Sequence, residues 1–155
     1  MTDEFDIVHA QPDHTDDLAP LFDAYRCWHG MKSDPDGARR FIRQRITAGE
    51  SEIFFVSQNN RSIAFTQLYP VFCSMSMDCV WMINDLYVIE SARQKGLGSA
   101  LLETAVEFVR ALGANRILLE IKSNNTAAQT ACETFGWNLN SELLHYSLNL
   151  SDSNN

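Results

Sequence analysis

The sequence predicts one α/β domain with helices layered on a mixed sheet, and three observations carry that expectation. Apolar residues along the chain switch repeatedly between a period of 2 and a period of 3.6. A run that is apolar on both faces, Val80 to Val88, leads through a glycine loop into a strongly periodic helix. The 155 residues suffice for one buried core. No repeat or linker divides them, so a single domain is expected over residues 1–150, with a disordered tail at 151–155.

Phe5 to Ala10 reads as the first strand. Leu18, Leu21, Phe22, Tyr25 and Trp28 then share a helical face, and a start near Asp16 or Asp17 would put Pro20 in the first turn. Ser33-Asp34-Pro35 sets a capping side chain before a proline, opening a second helix that Gly49 ends. Glu52 to Ser57 and Ser62 to Tyr69 form a hairpin across Asn59-Asn60. In the Val80–Val88 strand, strict alternation sends Trp81, Ile83 and Tyr87 one way and Val80, Met82, Leu86 and Val88 the other. A helix from Leu97 is capped by Gly113, a buried strand spans Arg116 to Ile121, and a short helix spans Asn125 to Phe135 before Gly136. Tyr146, Leu148 and Leu150 alternate as a last strand.

Composition excludes several function classes. Net charge is −8 and the basic residues form no long run, which opposes nucleic-acid binding. An acidic surface suits a cationic amine, and equally suits plain solubility. No stretch approaches the ~18 apolar residues of a membrane span. The opening Met-Thr-Asp-Glu-Phe-Asp lacks the layout of a signal peptide, so a cytoplasmic location is expected. Cys27, Cys73, Cys79 and Cys132 show no metal-ligand spacing, so no metal site is expected.

The chemistry concentrates after Val88, in Arg93-Gln94-Lys95-Gly96-Leu97-Gly98-Ser99. Two glycines allow close backbone approach and turn N–H groups inward. The following helix adds free N–H groups and the positive end of its dipole, while Arg93 and Lys95 add charge, so the segment reads as a pyrophosphate cradle. Gly96-Leu97-Gly98 also opens a G-x-G-x-x-G pattern, with Glu120 about 20 residues on for a ribose. Against that nucleotide-binding reading, Leu101 replaces the third glycine, and too little chain follows for a doubly wound domain. No Gly-Lys-Ser/Thr follows the glycines, so a Walker-type site is absent.

These residues resemble the GNAT acetyltransferases. Arg93/Gln94 through Gly98 match the family's Q/R-x-x-G-x-G/A, and Asn84-Asp85-Leu86-Tyr87-Val88 is similar to the strand before it. Asn125-x-x-Ala128-x-x-x-Cys132-x-x-x-Gly136-Trp137 is similar to the family's N-x-x-A-x-x-x-Y-x-x-x-G-F. The likeness is dense from Met82 to Trp137, closest in feel to the small polyamine- and histone-type members. It implies a mixed, mostly antiparallel sheet of six or seven strands, splayed between the Val80–Val88 and Arg116–Ile121 strands. Acetyl-CoA would enter the splay, its pantetheine on the backbone of Leu86, Tyr87 and Val88. Its pyrophosphate would rest on Gln94 to Ser99, with Asn125 a further contact. The partner implied is a small-molecule or peptide amine, and the resemblance leaves room for a homodimer.

Direct transfer needs a deprotonated amine, whose lysine-like pKa near 10 calls for a base or relay. Glu120, the lone carboxylate in Ile-Leu-Leu-Glu-Ile, matches a glutamate that accepts the proton in some members; the alternative is a solvent-facing strand end. Asp85 sits in an apolar run, where a carboxylate should be paired or functional: it either holds a cationic substrate or satisfies neighbouring groups. Tyr25 and Trp28, with Tyr69 and Phe72, are candidates to line an acceptor pocket, with core packing as the alternative. Cys132 stands where the family has the tyrosine that protonates the leaving thiolate, and cysteine is a shorter, weaker donor. Cys132, Tyr146 on the last strand, and a water remain alternatives for that acid. A family member that binds acyl-CoA but transfers poorly, as a sensor or binding module, is the second functional reading.

Overall fold

The computed structural model describes residues 5–151, so the expected tail lies outside the described residues apart from Ser151. The order of elements is β1 (Asp6–His9), α1 (Thr15–Trp28), α2 (Pro35–Thr47), β2 (Glu52–Gln58), β3 (Arg61–Cys73), β4 (Asp78–Val88), α3 (Leu97–Ala111), β5 (Ile117–Leu119) and α4 (Thr126–Phe135). Contacts divide the chain into two compact units, one ending at Glu120 and the other starting at Ile121.

In the first unit the strands lie in the order β1-β2-β3-β4-β5, antiparallel except for the β4–β5 pair. The β2–β3 turn places Asn59 and Asn60 at φ 52° and 59°, left-handed values that match the twist of a tight hairpin and that asparagine tolerates. One face of the sheet carries α1 and α2, whose Leu18, Leu21, Phe22, Ala38 and Ile42 pack on Ile53, Phe55 and Phe65. The opposite face meets α3, where Phe108 stands edge-on to Phe54 (5.3 Å) and Trp81 (5.9 Å).

Helix α1 begins at Thr15, whose hydroxyl donates to the Pro12 carbonyl at 2.6 Å. That start moves Pro20 into the second turn rather than the first, on an exposed position where the carbonyl it leaves unbonded can meet water. Helix α2 starts as its sequence implies, with Asp34 accepting from the Gly37 N–H at 2.9 Å and Pro35 at the first position. Asp23, buried on α1, binds the same corner: Ser33 Oγ donates to it at 2.6 Å, the Asp34 N–H at 2.9 Å and Arg26 Nη1 at 3.0 Å.

One irregularity reorganises β4. Gln67 pairs with Asp85 and Leu68 with Ile83, so Asn84 is an extra residue without a partner, a β-bulge. Strict alternation had set Trp81 and Tyr87 on one face. The bulge separates them: Trp81 meets Phe108 of α3, and Tyr87 meets Tyr25 of α1 at 5.9 Å. A period-2 pattern cannot register one inserted residue, and every side chain beyond it changes face.

In the second unit, Asn125 Oδ1 accepts from the Ala128 N–H at 3.2 Å, and Gly136 at φ 107° closes α4, with the Trp137 N–H returning to the Cys132 carbonyl at 3.0 Å. The expected strand at Tyr146, Leu148 and Leu150 does not form. The described residues hold five strands instead of six or seven. Asn140 and Asn149 take the N–H groups of Glu142 and Ser151 at 3.1 and 3.0 Å. Both N–H groups lie outside the expected strand, and Leu144, Tyr146, Leu148 and Leu150 are exposed, without the half-burial that holds a strand in a sheet.

Candidate active site

The loop between β4 and α3 has the geometry of an anion cradle. A short turn over Glu90–Ala92 ends β4's course, and Gln94 and Gly96 follow at φ 62° and 80°. Left-handed residues at these places rotate successive N–H groups toward one concavity. Leu97 anchors the helix start by burying its side chain in the core. Ala100 is the first residue to close a helical bond, to the Gly96 carbonyl at 3.0 Å. The N–H groups of Leu97, Gly98 and Ser99 therefore have no intrahelical acceptor. A Cβ built on Gly98 would meet nothing within 4 Å, so the space beside it is open to a ligand.

Arg93 is folded back rather than directed only at the cradle. Its Nε donates to the Val88 carbonyl at 3.0 Å, and its guanidinium lies 5.4 Å from the Trp28 ring and 5.9 Å from Tyr87. Trp28 is more than half exposed and packs on Tyr87 at 5.8 Å. The end of β4, the end of α1 and the cradle are thus held together by one cation over two rings.

The neighbouring edge of β4 is open. Strand β5 pairs with it in parallel over Trp81–Ile83 alone, and from Asn84 to Val88 no residue of β5 continues the ladder. A parted pair of parallel strands exposes the backbone N–H and C=O groups to which an extended ligand can add. Leu86, Tyr87 and Val88 lie on this stretch.

Under the C-terminal end of α1 is a buried polar cluster. Asp85 is 4% exposed; Gln67 Nε2 donates to its Oδ2 at 2.6 Å and Asn84 Nδ2 to its Oδ1 at 3.0 Å. The Tyr25 hydroxyl lies beside the same carboxylate. Burial first, then the Asp85 charge, raises the Tyr25 hydroxyl far above the usual tyrosine range. Tyr69 is pushed up to about 12, again by burial and then by Asp85, with Arg45 and Gln67 opposing. Of the two meanings open to Asp85, the pairing is therefore visible. Thr66, Gln67 and Asn84 were not singled out from the sequence, although Gln67, fully buried between Thr66 and Leu68, is the kind of polar residue in an apolar strand that signals such a cluster.

The remaining candidates sit as follows. Glu120 is exposed, one residue past β5. Cys132 is buried on α4, and burial followed by the nearby Glu133 charge raises its thiol pKa. Asn125 spends its carboxamide oxygen on the α4 cap. Tyr146 lies on no strand and is 89% exposed, so the expected presentation of its hydroxyl from a last strand is not found. Phe72 is 91% exposed at the β3–β4 hairpin end, away from any lining role in the core. Among the described residues no three His, Cys, Asp or Glu side chains gather as a metal site.

The sequence from residue 18 to 137 matches the acetyltransferase (GNAT) family model. The chain belongs to the GNAT acetyltransferase family. It is 38% identical over 133 residues to the uncharacterized N-acetyltransferase YhfO of Bacillus subtilis, covering 86% of this chain and 89% of that one. A probable acetyltransferase of Haemophilus influenzae is 33% identical over 135 residues, covering 86% and 90%. The crystal structure of a probable acetyltransferase superposes with a TM-score of 0.87 at 38% identity, covering 95% of this chain and 99% of that one. The chain therefore has the GNAT fold, and no helix among its described residues is long and apolar enough to cross a membrane.

Proposed function

We propose that this GNAT member is an N-acetyltransferase that moves the acetyl group of acetyl-CoA directly to a primary amine of a small molecule or peptide. The family match spans both units of the chain, which supports reading residues 1–150 as one acyltransferase domain. The observation that carries the reading is the cradle. Orphan N–H groups at the start of α3, left-handed Gln94 and Gly96, and open space at Gly98 suit a diphosphate, beside an unpaired β4 edge that suits an extended arm. Residues Arg93 to Ser99 bind the diphosphate, and Leu86 to Val88 orient the pantetheine. The family resemblance adds Asn125 as a further contact to the cofactor.

Transfer by direct attack leaves this chain two tasks, removing a proton from the amine and returning one to the thiolate. Glu120, exposed at the end of β5, takes the first role, directly or through water. A CoA thiol, with a pKa near that of free cysteine at about 8.5, is already a tolerable leaving group. Cys132, Tyr146 and water are the alternatives for the second role, and weak donation there is affordable.

The deciding experiment is a panel of polyamines, aminoglycosides, amino acids and peptides assayed for CoA release. Turnover with at least one amine is expected. A second reading, an acyl-CoA-binding protein with little transferase activity, draws on Cys132 replacing the family's tyrosine and on the exposed Tyr146. CoA binding without release on any amine would favour it.

A further inference from the structure

The β-bulge at Asn84 falls where the sheet parts. Strand β5 pairs with β4 over Trp81–Ile83, and the next residue is the one inserted into the β3–β4 ladder. A bulge bends its strand and adds local twist, so the residues after it leave the line that β5 follows. The open stretch up to Val88 begins at the bulge and takes its direction from it.

Side chains fasten this bulge. The Thr66 hydroxyl donates to the Asp85 carbonyl at 2.9 Å, Gln67 Nε2 to Asp85 Oδ2 at 2.6 Å and Asn84 Nδ2 to Asp85 Oδ1 at 3.0 Å. Thr66 and Gln67 are fully buried and Asp85 nearly so. A regular ladder continued from the Leu68–Ile83 pair would set Gln67 opposite Asn84. It would turn Asp85 to the face where Trp81 meets Phe108 of α3, away from the Gln67 amide. A buried carboxylate stripped of that donor is costly, so the charge favours the bulged register over the regular one. The clamp is kept although it strands an atom. With its nitrogen turned to the carboxylate, Gln67 leaves its Oε1 buried with no hydrogen-bond partner among the described residues. An apolar pair at 67 and 85 would pack without that loss, and a locally unfavourable choice of this kind belongs where function constrains the chain.

We propose that Asp85, clamped by Thr66, Gln67 and Asn84, is a positioning residue for the cofactor: it locks the bulged register and so presents the Leu86–Val88 edge to the pantetheine arm. This rests on the acyl-CoA reading above and names what holds that edge. A slip of one residue would exchange the two faces of β4 beyond Asn84. It would also swap which N–H and C=O groups point to the open side and which to β3. An extended ligand reads those groups in alternation, so the register decides whether it finds them. Asp85 acts through the backbone and needs no contact with the ligand.

The test measures CoA affinity by calorimetry, with amide hydrogen exchange as the local readout. Gln67→Leu combined with Asp85→Leu removes both partners at once and fills their space with apolar atoms, so the double variant should melt no lower than wild type. It should nonetheless bind CoA about tenfold more weakly, with exchange quickened at residues 84–88 and unchanged in the rest of the sheet. Asp85→Asn leaves Gln67 a hydrogen-bonding partner of the same shape and should stay within about threefold of wild type. If the double variant does not fold, Thr66→Val, which releases the Asp85 carbonyl alone, decides in its place, with CoA weakened about threefold to tenfold. A folded double variant with wild-type CoA affinity overturns the proposal, as does an indifferent Thr66→Val where that variant decides. Exchange quickened throughout the sheet overturns it too, since that is general loosening. So does a loss in Asp85→Asn as deep as the double variant's, which would assign the effect to charge instead of the clamp. A wild type that binds no CoA sinks the acyl-CoA reading itself, and this one with it.

Discussion

At Gly98 a missing side chain is what the site needs. A Cβ there meets nothing within 4 Å, so a larger residue is tolerated by the fold and felt by the ligand. Gly98→Glu is expected to keep the wild-type melting temperature. It should weaken CoA by on the order of 10² to 10³, since a like charge about 4 Å from a phosphate costs roughly 4 kcal/mol at an effective dielectric of 20. Unchanged CoA affinity by calorimetry in the folded variant would remove the cradle assignment. Glu120 offers a second residue-level test. Glu120→Gln should lower turnover by about 10² to 10⁴ where proton removal limits, below the amine pKa near 10, and the deficit should shrink at higher pH. A loss that is flat with pH would assign Glu120 a structural part. The cradle was legible because its residues are contiguous and each has a local reason to be there. The Tyr25–Asp85–Gln67 cluster was not, because its members come from three elements that meet only through the sheet register.

Elements whose ends carry their own signals were legible to within a residue or two. Asp34-Pro35 opens α2, Asn125 and Gly136 bracket α4, and Asn59-Asn60 turns the β2–β3 hairpin. Two elements escaped for physical reasons. The bulge at Asn84 leaves no trace in an alternation that is apolar on both faces, and the last segment has the alternation of a strand while Tyr146, Leu148 and Leu150 stay exposed, with no burial to hold them in a sheet. The α1–α2 corner yields a prediction at this scale. The Ser33 hydroxyl, the Asp34 N–H and Arg26 hold the Asp23 carboxyl below its ordinary pKa against the opposing effect of burial. A depressed folded pKa gives stability that is present above the unfolded value and lost as pH falls through the folded one. Asp23→Asn is thus expected to cost about 1–3 kcal/mol at neutral pH. Wild type and variant should converge in thermal melts below about pH 4. A constant gap across that range would remove the carboxylate from the account.

Across the whole molecule the net charge is −8, and the two proposed ligands respond to it in opposite senses. A polyamine is drawn to an acidic protein, whereas the multiply anionic acetyl-CoA is repelled by everything except its cradle. Salt shortens the reach of both effects, from about 30 Å at 0.01 M to about 8 Å at 0.15 M. Raising ionic strength over that range should therefore raise the KM of a polyamine severalfold and that of a monoamine less. The KM of acetyl-CoA should move differently, because long-range repulsion and short-range attraction at the cradle are screened together and partly offset. Steady-state titrations of each substrate at saturating co-substrate separate the two. A polyamine KM indifferent to salt would mean that recognition of the amine lies in short-range contacts alone, with no contribution from the acidic surface.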